Sequence, residues 1–210
     1  MTENFCYEDF IKFVHVPRET FSHLENYVNL LKKWQSKINL ISNSTISDIW
    51  KRHIVDSAQL IEYLSKSDKV IDLGSGGGFP GIVLSILGIK DMTLVESDSR
   101  KAEFLKEAAR TVGIKINVIC QRVEKVALDG FAIVTARGFA SLKDIFQMLA
   151  PTLTKEHKLL LLKGKSFKEE ISAAEVDWSF DYKHFPSVTD KAGVVALIEN
   201  ASKRRPSKGG

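Results

Sequence analysis

The sequence predicts a doubly wound, mostly parallel α/β sheet of seven strands, preceded by an N-terminal helical cap. After Lys69, short apolar runs of strand length alternate with longer amphipathic segments, a pattern typical of a parallel sheet with helices on both faces. Before that point the apolar residues follow helical spacing, and residues 1–69 contain no glycine. We therefore expect a helical cap over residues 1–68 that packs on the sheet, a sheet domain over residues 69–202, and a basic tail over residues 203–210.

Two helices are predicted within the cap. The first carries a stripe with one polar member, made up of Phe21, Leu24, Val28, Leu31, Gln35 and Ile38. Residues 42–44 are of the helix-capping type and precede the second helix. That helix carries another apolar stripe, made up of Ile46, Ile49, Ile54, Ala58, Ile61 and Leu64.

Strands and helices then alternate through the rest of the chain. Strands are predicted over residues 70–73, 92–95, 116–120, 131–136, 158–162, 180–185 and 194–199. Helices are predicted from the end of a glycine-rich loop to about residue 87, and over residues 100–112, 142–153 and 165–174. This order places the carboxyl ends of the parallel strands at one edge of the sheet, where open α/β sheets bind their ligands.

Composition excludes several classes of protein. The net charge is +4, and outside the tail no block has the basic excess of a protein that binds nucleic acid by charge alone. The apolar runs are far shorter than the ~20 residues of a membrane span, and the acidic start is unlike a secretory signal. Cys6 and Cys120 provide neither a disulfide framework nor metal-ligand spacing. We expect a cytoplasmic protein without a membrane or metal partner.

The loop after the first strand carries the clearest chemistry. Residues 70–82 read VIDLGSGGGFPGI, so that a buried strand leads into a loop containing Gly74, Gly76 and Gly78. Glycine lets a ligand approach the backbone closely at the start of the following helix. From Gly74 the pattern is G-x-G-x-G, as used for S-adenosylmethionine (SAM). From Gly76 it is G-x-G-x-x-G, ending at Gly81, which is the dinucleotide fingerprint.

Two features favour SAM, although a dinucleotide and a purely structural turn stay open. In the dinucleotide pattern the first glycine directly follows the strand, whereas Gly76 lies three residues beyond Leu73. Asp72 would place a negative charge beside a pyrophosphate, and it suits the cationic SAM better. Glu96 follows the second strand, where a carboxylate accepts both ribose hydroxyls in either class of protein.

Other candidate residues follow the later strands or lie in the cap. Val123 and Glu124 lie where a loop would cover the adenine ring. Arg137 and Lys163 directly follow the fourth and fifth predicted strands. Two cations at one crevice indicate an anionic acceptor such as a nucleotide, although either could pair with a carboxylate instead.

The cap contributes Asn39 and the pair His53 and Asp56 as candidates. Residues three positions apart share a helix face, so Asp56 could orient His53. A simple pair on the helix surface is the alternative that this spacing favours.

The motifs together resemble one known family. The segments KINLIS (37–42), RHIVDS (52–57), the glycine loop, LVESDSRKAEFL (94–105), RVEKV (122–126), TARGFASL (135–142) and LLKG (161–164) are similar to those of the RsmG, or GidB, methyltransferases. The resemblance implies a class I SAM-dependent, Rossmann-like fold and methylation of guanine 527 at N7 in 16S rRNA of the small ribosomal subunit. It also implies that SAM is bound by residues matching Gly74, Phe79, Val123, Glu124 and Arg137.

The implied reaction requires no general base. Guanine N7 has a free lone pair and no proton at neutral pH, so proximity and orientation must provide most of the acceleration. We expect Arg137 to be the catalytic residue that bridges cofactor and guanine, while Asn39, His53 and Lys163 position the nucleotide. A monomer is favoured. Two alternatives remain: an NAD(P)-dependent oxidoreductase, and a non-catalytic RNA-binding module that keeps a relic SAM pocket.

Overall fold

The computed structural model describes residues 5–204 and contains one seven-stranded sheet with the order β3-β2-β1-β4-β5-β7-β6. The strands are β1 (Lys69–Leu73), β2 (Asp91–Val95), β3 (Asn117–Ile119), β4 (Ile133–Arg137), β5 (Lys158–Lys163), β6 (Trp178–Pro186) and β7 (Val194–Lys203). β1 to β5 are mutually parallel, and β7 runs antiparallel to both β5 and β6. The predicted doubly wound, mostly parallel sheet is confirmed.

The helices cover both faces of this sheet. They are α1 (Tyr7–Phe10), α2 (Arg18–Gln35), α3 (Asp56–Ala58), α4 (Gly81–Ile86), α5 (Ser99–Val112), α6 (Leu142–Leu149) and α7 (Phe167–Glu175). Neighbouring strand residues alternate between the two faces: Val70 packs with α2, α4 and α5, whereas Ile71 packs with α6 and α7. β1 has β2 on one side and β4 on the other, so the winding reverses at its carboxyl end. That reversal makes the end of β1 the expected ligand crevice.

The helical cap is continuous with the sheet's own core. Leu24, Tyr27 and Leu31 of α2 are buried in one hydrophobic cluster with Ile82 of α4 and Phe104 of α5. These side chains are at most 2% exposed, which is typical of an interior and not of an interface between independent units. Helix α2 of the cap therefore packs against α4 and α5, the helices that cover this face of the sheet.

The second predicted cap helix is not a regular α-helix. The structure has 3₁₀ turns over Asn43–Asp48 and Gln59–Tyr63, with a π-helical turn over Trp50–Val55 and the short α3 between them. Within the π-helical turn the backbone carbonyl of Arg52 accepts a hydrogen bond from Arg137 Nη1 at 3.2 Å. Widened turns of this kind occur where a helix serves a functional site, and side-chain periodicity does not reveal them.

Two predicted boundaries also differ from the structure. The helix predicted over residues 142–153 ends at Leu149, because residues 150–153 close it with turns back to the carbonyls of Gln147 and Leu149. At the C-terminus, Lys203 is the last residue of β7, and the Arg204 N–H donates to the Asp177 carbonyl at 2.8 Å. The beginning of the predicted basic tail is thus tied to the sheet, and residues 205–210 lie outside the described residues.

Candidate active site

A cavity of about 720 Å³ opens at the carboxyl ends of β1, β2 and β4. The sequence-predicted residues that line it are Gly74, Gly76, Phe79, Glu96, Val123, Glu124, Arg137 and His53. Four other predicted residues, Gly78, Asn39, Asp56 and Lys163, are not part of its wall. The fold therefore brings most of the candidate cofactor residues together from four separate loops.

The glycine loop presents bare backbone to this cavity at Gly76. Its φ of +54° lies in the left-handed region, and its N–H donates to Glu96 Oε2 at 2.9 Å. A Cβ added to Gly76 would meet no atom closer than the Gly74 carbonyl oxygen, at 3.8 Å, and would stand in the open space of the cavity. A ligand can therefore reach the main chain here, which a side chain would prevent.

Gly78 has a different role from the predicted one. Its φ is +91°, and a Cβ there would lie 2.5 Å from Ile82 Cγ1 and 2.8 Å from the Tyr27 hydroxyl. The Tyr27 hydroxyl in turn donates to the Gly77 carbonyl. Gly78 thus permits close packing between the loop, α4 and the cap, and does not face the cavity.

Glu96 is the carboxylate at the end of β2, and it is only 8% exposed. Its Oε2 accepts from the Gly76 N–H at 2.9 Å, and its Oε1 accepts from the Asp98 N–H at 2.8 Å. Each carboxylate oxygen can accept a second hydrogen bond. The orientation of the side chain is therefore fixed by the backbone, while acceptor capacity remains toward the cavity.

Asp72 does not face the cavity, contrary to its expected place beside a cationic ligand. The side chain is fully buried; it accepts from Thr135 Oγ1 at 3.0 Å and from the Gly81 N–H at 3.3 Å. Burial raises the pKa of Asp72 to about 7, although hydrogen bonds to its oxygens oppose the rise. Its hydrogen bonds therefore connect β1 to β4 and to the start of α4, beneath the glycine loop.

Arg137, at the end of β4, is held by both the cap and the loop. Its Nη2 donates to His53 Nδ1 at 2.7 Å and its Nη1 donates to the Arg52 carbonyl at 3.2 Å. The guanidinium carbon lies 5.0 Å from the centre of the Phe79 ring, which is the distance of a cation–π contact. Phe79 thus supports the guanidinium within the cavity wall.

His53 is neutral, and its hydrogen bonds define its tautomer. Arginine can only donate, so His53 Nδ1 accepts from Arg137, and the proton of the ring lies on Nε2. Nε2 then donates to Thr45 Oγ1 at 2.7 Å, and the Thr45 hydroxyl donates to the Ser42 carbonyl at 2.8 Å. Burial, together with the positive charges of Arg137 and Arg52, lowers the pKa of His53 to about 3. The imidazole therefore positions the guanidinium and does not exchange protons near neutral pH.

We expect the stability cost of His53→Gln to depend on pH. The unfolded chain binds a proton at this imidazole below its ordinary pKa of 6.5, but the folded protein does so only near pH 3. Burial of His53 therefore destabilises wild type as the pH falls through this window, by at most about 1.4 kcal/mol per pH unit. Denaturant unfolding should show a larger cost of the substitution at about pH 7 than at about pH 4.5. His184→Gln at an exposed site is the matched control, and an equal cost of H53Q at both pH values would contradict the prediction.

Asp56 contacts Arg137 and not His53, so the pair suggested by their spacing does not form. Asp56 Oδ2 lies 3.7 Å from Arg137 Nη1. Asp56 Oδ1 accepts from Thr189 Oγ1 at 2.6 Å and from Gln59 Nε2 at 3.0 Å. Burial raises the pKa of Asp56, with the hydrogen bond from Thr189 and the positive charges of Arg137 and Arg52 opposing the rise. The π-helical turn directs His53 and Asp56 to different nitrogens of the same guanidinium.

Lys163 forms a largely buried ion pair. Its Nζ donates to Glu170 Oε2 and to the Ala140 carbonyl, both at 2.6 Å, and its side chain is 8% exposed. Glu170 also accepts from the Leu142 N–H at 2.8 Å, so the pair joins β5, α7 and the start of α6. The ammonium is thus engaged within the protein, although Lys163 lines a smaller cavity next to the larger one.

Replacing Lys163 with alanine should lower the free energy of unfolding by about 2 kcal/mol, because the largely buried Glu170 would lose its countercharge. Lys158→Ala is the matched control, since Lys158 pairs with Glu199 at the exposed end of the same strand. That control should change stability by less than about 1 kcal/mol. Urea denaturation measures both. Equal effects of the two substitutions would show that the Lys163 pair has no special structural role.

Asn39 lies at the surface, next to a segment that lines the cavity. It accepts a hydrogen bond from Gln35 Nε2 at 3.1 Å. The Gln35 side chain also accepts from the Leu40 and Ile41 N–H groups, at 2.9 and 3.0 Å, and so fixes the cavity wall formed by residues 40–42. Gln35 and Thr45 are therefore supporting residues that the sequence did not single out. For Gln35 a signal was available, because it is the one polar residue in the first apolar stripe.

Within residues 5–204 no cluster of three or more His, Cys, Asp or Glu side chains could hold a metal ion. In the same part of the chain no helix has both the length and the apolar character needed to cross a bilayer.

Comparison with known proteins places the chain among rRNA methyltransferases. A profile of the GidB family, described as rRNA small subunit methyltransferase G, matches residues 20–199. The Ribosomal RNA small subunit methyltransferase G of Rickettsia akari is 44% identical over 191 residues, covering 90% of this chain and 99% of the relative. The protein of that name from Rickettsia prowazekii is 46% identical over 189 residues, with 90% and 98% coverage. The protein of the same name from Paramagnetospirillum magneticum is 41% identical over 191 residues, covering 90% of this chain and 93% of the relative.

Solved structures of more distant proteins share the fold. A mutant of MtNAS in complex with S-adenosylmethionine has a TM-score of 0.59 at 14% identity, covering 93% of this chain and 84% of that one. The ribosomal protein L11 methylase of Lactobacillus delbrueckii subsp. bulgaricus has a TM-score of 0.54 at 19% identity, covering 73% and 79%. At these identities the likeness concerns the architecture of the sheet and its helices.

Proposed function

The chain belongs to the GidB family of rRNA small subunit methyltransferases, and from this membership we propose that it transfers a methyl group from SAM to N7 of guanine 527 in 16S rRNA. The observation that carries the proposal is the cavity at the end of β1, where the glycine loop, Glu96 and Arg137 meet. A nucleoside-binding wall and a fixed cation in one cavity are the parts that methyl transfer to a nucleotide needs.

The residues of the larger cavity fit SAM, which supplies the methyl group on a positively charged sulfur. Gly76 leaves open space where a side chain would stand, and Glu96 keeps acceptor capacity for the two ribose hydroxyls. Val123, 6% exposed and at the start of a 3₁₀ turn, provides an apolar surface for the adenine ring, with Glu124 beside it. We expect the main chain at Gly74, in the wall of the same cavity, to bind the amino acid portion.

The chain's own contribution to the reaction is orientation and charge. Guanine N7 attacks through its own lone pair, so no side chain has to remove a proton first. The neutral His53 agrees with this requirement, because a group with a pKa near 3 is not a general base in use at pH 7. Arg137 is the group placed to hold the acceptor guanine, and Phe79, His53 and Asp56 hold Arg137.

The partner we propose is 16S rRNA within the small ribosomal subunit. We propose that the enzyme acts on it in the cytoplasm, as a monomer and without a metal ion. The exposed Asn39, beside the cavity wall, is positioned to meet the RNA, while the engaged Lys163 acts by fixing the end of β5. A net charge of +4 on 210 residues agrees with recognition by shape and a few placed groups. We expect weak binding to arbitrary RNA at physiological salt, which a filter-binding titration measures.

The decisive experiment uses labelled SAM and small subunits from a strain that lacks the enzyme. We expect label at N7 of one guanine in 16S rRNA, located by cleavage at the modified base and by mass spectrometry. Modification of an adenine, or of guanine N2, would contradict the proposal. Calorimetry with SAM and NADH tests the oxidoreductase alternative, which requires NADH to bind and SAM not to bind. RNA binding without methyl transfer would indicate the relic-pocket alternative.

A further inference from the structure

A smaller cavity of about 190 Å³ lies at the carboxyl ends of β4 and β5, directly beside the larger one. The two cavities share Arg137 and Gly138 in their walls. The far side of the smaller cavity is formed by Asp56 of the cap and Thr189 of the loop between β6 and β7. Arg137 therefore stands at the junction between the cofactor cavity and a second, smaller space.

Asp56 has acceptor capacity that the protein does not use. Its side chain is 17% exposed; Oδ1 accepts two hydrogen bonds, from Thr189 and Gln59. Among residues 5–204, no hydrogen bond to Oδ2 is formed, and Arg137 Nη1 lies 3.7 Å from it, beyond hydrogen-bond distance. Asp56 lines the smaller cavity, so Oδ2 can accept a hydrogen bond from an N–H group of a ligand there.

Arg137 is likewise incompletely paired. A guanidinium has five N–H donors, and two of its nitrogens, Nη1 and Nη2, donate to atoms of the described residues. Its buried Nε has no hydrogen-bond partner among those same residues. Arg137 and Asp56 thus place a donor and an acceptor side by side at the junction of the two cavities.

This arrangement matches the order of groups along one side of guanine. N7 is followed by the acceptor O6, and O6 by the donors N1–H and N2–H₂. With N7 toward the larger cavity, O6 meets the Arg137 guanidinium, and the two donors meet Asp56 Oδ2. Adenine has the opposite group at both positions, since it carries an amine donor at position 6 and an acceptor at N1. It would therefore set donor against donor at Arg137 and acceptor against acceptor at Asp56.

We propose that the smaller cavity is the binding site for the acceptor guanine, with Arg137 binding O6 and Asp56 binding N1–H and the N2 amine. The inference rests on the proposed methylation at N7 and adds the residue that selects guanine. Asp56 is then a specificity-determining residue, and Thr189 and Gln59 fix its orientation through Oδ1.

The test compares small subunits reconstituted with 16S rRNA that carries either guanosine or inosine at the target position. Inosine lacks the N2 amine but keeps O6, N1–H and N7. For wild type, single-turnover methylation should be about 10-fold or more slower with inosine. In Asp56→Asn, which removes the carboxylate, the guanosine rate should fall and the ratio of the two rates should approach one, because the amine has lost its acceptor. SAM affinity, measured by calorimetry, should change by less than about 2-fold, since Asp56 does not line the larger cavity.

Two further variants separate this role from a structural one. Asp91→Asn changes an exposed aspartate at the opposite end of β2 and should keep the wild-type ratio. Thr189→Val keeps the Asp56 carboxylate and should also retain a preference for guanosine, even if D56N is too slow to measure. Equal rates of wild type on both substrates, or an unchanged ratio in D56N, would overturn the inference while N7 methylation stands. Wild type without any N7 product on guanosine subunits would refute the proposed function itself.

Discussion

Replacing Arg137 with alanine should reduce methyl transfer by about 10³-fold or more while the protein stays folded. Arg137 lines both cavities, and in the proposed mechanism its guanidinium holds the acceptor guanine; the substitution removes both its charge and its donors. His53 Nδ1, the Arg52 carbonyl and Asp56 would also lose the group that holds them together. Single-turnover methylation of small subunits measures the loss, and calorimetry with SAM shows whether the cofactor still binds.

Two other arginine substitutions are the controls for this prediction. Arg110→Ala removes an exposed arginine from the last turn of α5, away from both cavities, and should leave the rate unchanged. Arg137→Lys keeps a positive charge but not the planar fork, so it should recover only part of the activity. Wild-type turnover of R137A would remove Arg137 from the mechanism.

Replacing Glu96 with glutamine should weaken SAM binding by about 100-fold. Both carboxylate oxygens accept a backbone N–H, from Gly76 and from Asp98. In glutamine, one of the two oxygens is replaced by NH₂. One of the two backbone N–H groups would therefore face another donor. The ribose hydroxyls would also lose a charged acceptor. Isothermal titration with SAM measures the change.

The matched control for Glu96 is Glu103→Gln on the outer face of α5. Glu103 pairs with Lys106 at the surface, and its side chain is 60% exposed. That variant should bind SAM as wild type does. If E96Q also binds with wild-type affinity, the carboxylate at the end of β2 does not bind the ribose.

The order of strands and helices could be predicted because it depends on local patterns. Apolar runs of strand length reveal buried strands, and glycines in a loop reveal backbone that must turn or be approached. All seven strands occur close to their predicted bounds, and the loop at Gly76 faces a cavity as expected. Glu96 lies at the predicted edge for the same reason, since the carboxyl ends of parallel strands meet at one edge of the sheet.

The partners of the charged side chains could not be predicted in this way. Spacing paired Asp56 with His53, but the π-helical turn directs both to Arg137, 84 residues further along from His53. Lys163 lies at the end of a strand as expected, but its ammonium pairs with Glu170 of α7. Asp72, which was expected beside a cationic ligand, is buried beneath the glycine loop.

The sequence by itself therefore determined the fold, the family and the position of the candidate site. Only the tertiary structure decided which side chains face the ligand and which hold their neighbours. The physical reason is that strand and helix patterns arise from residues a few positions apart, whereas burial and charge pairing depend on residues that only the folded chain brings together.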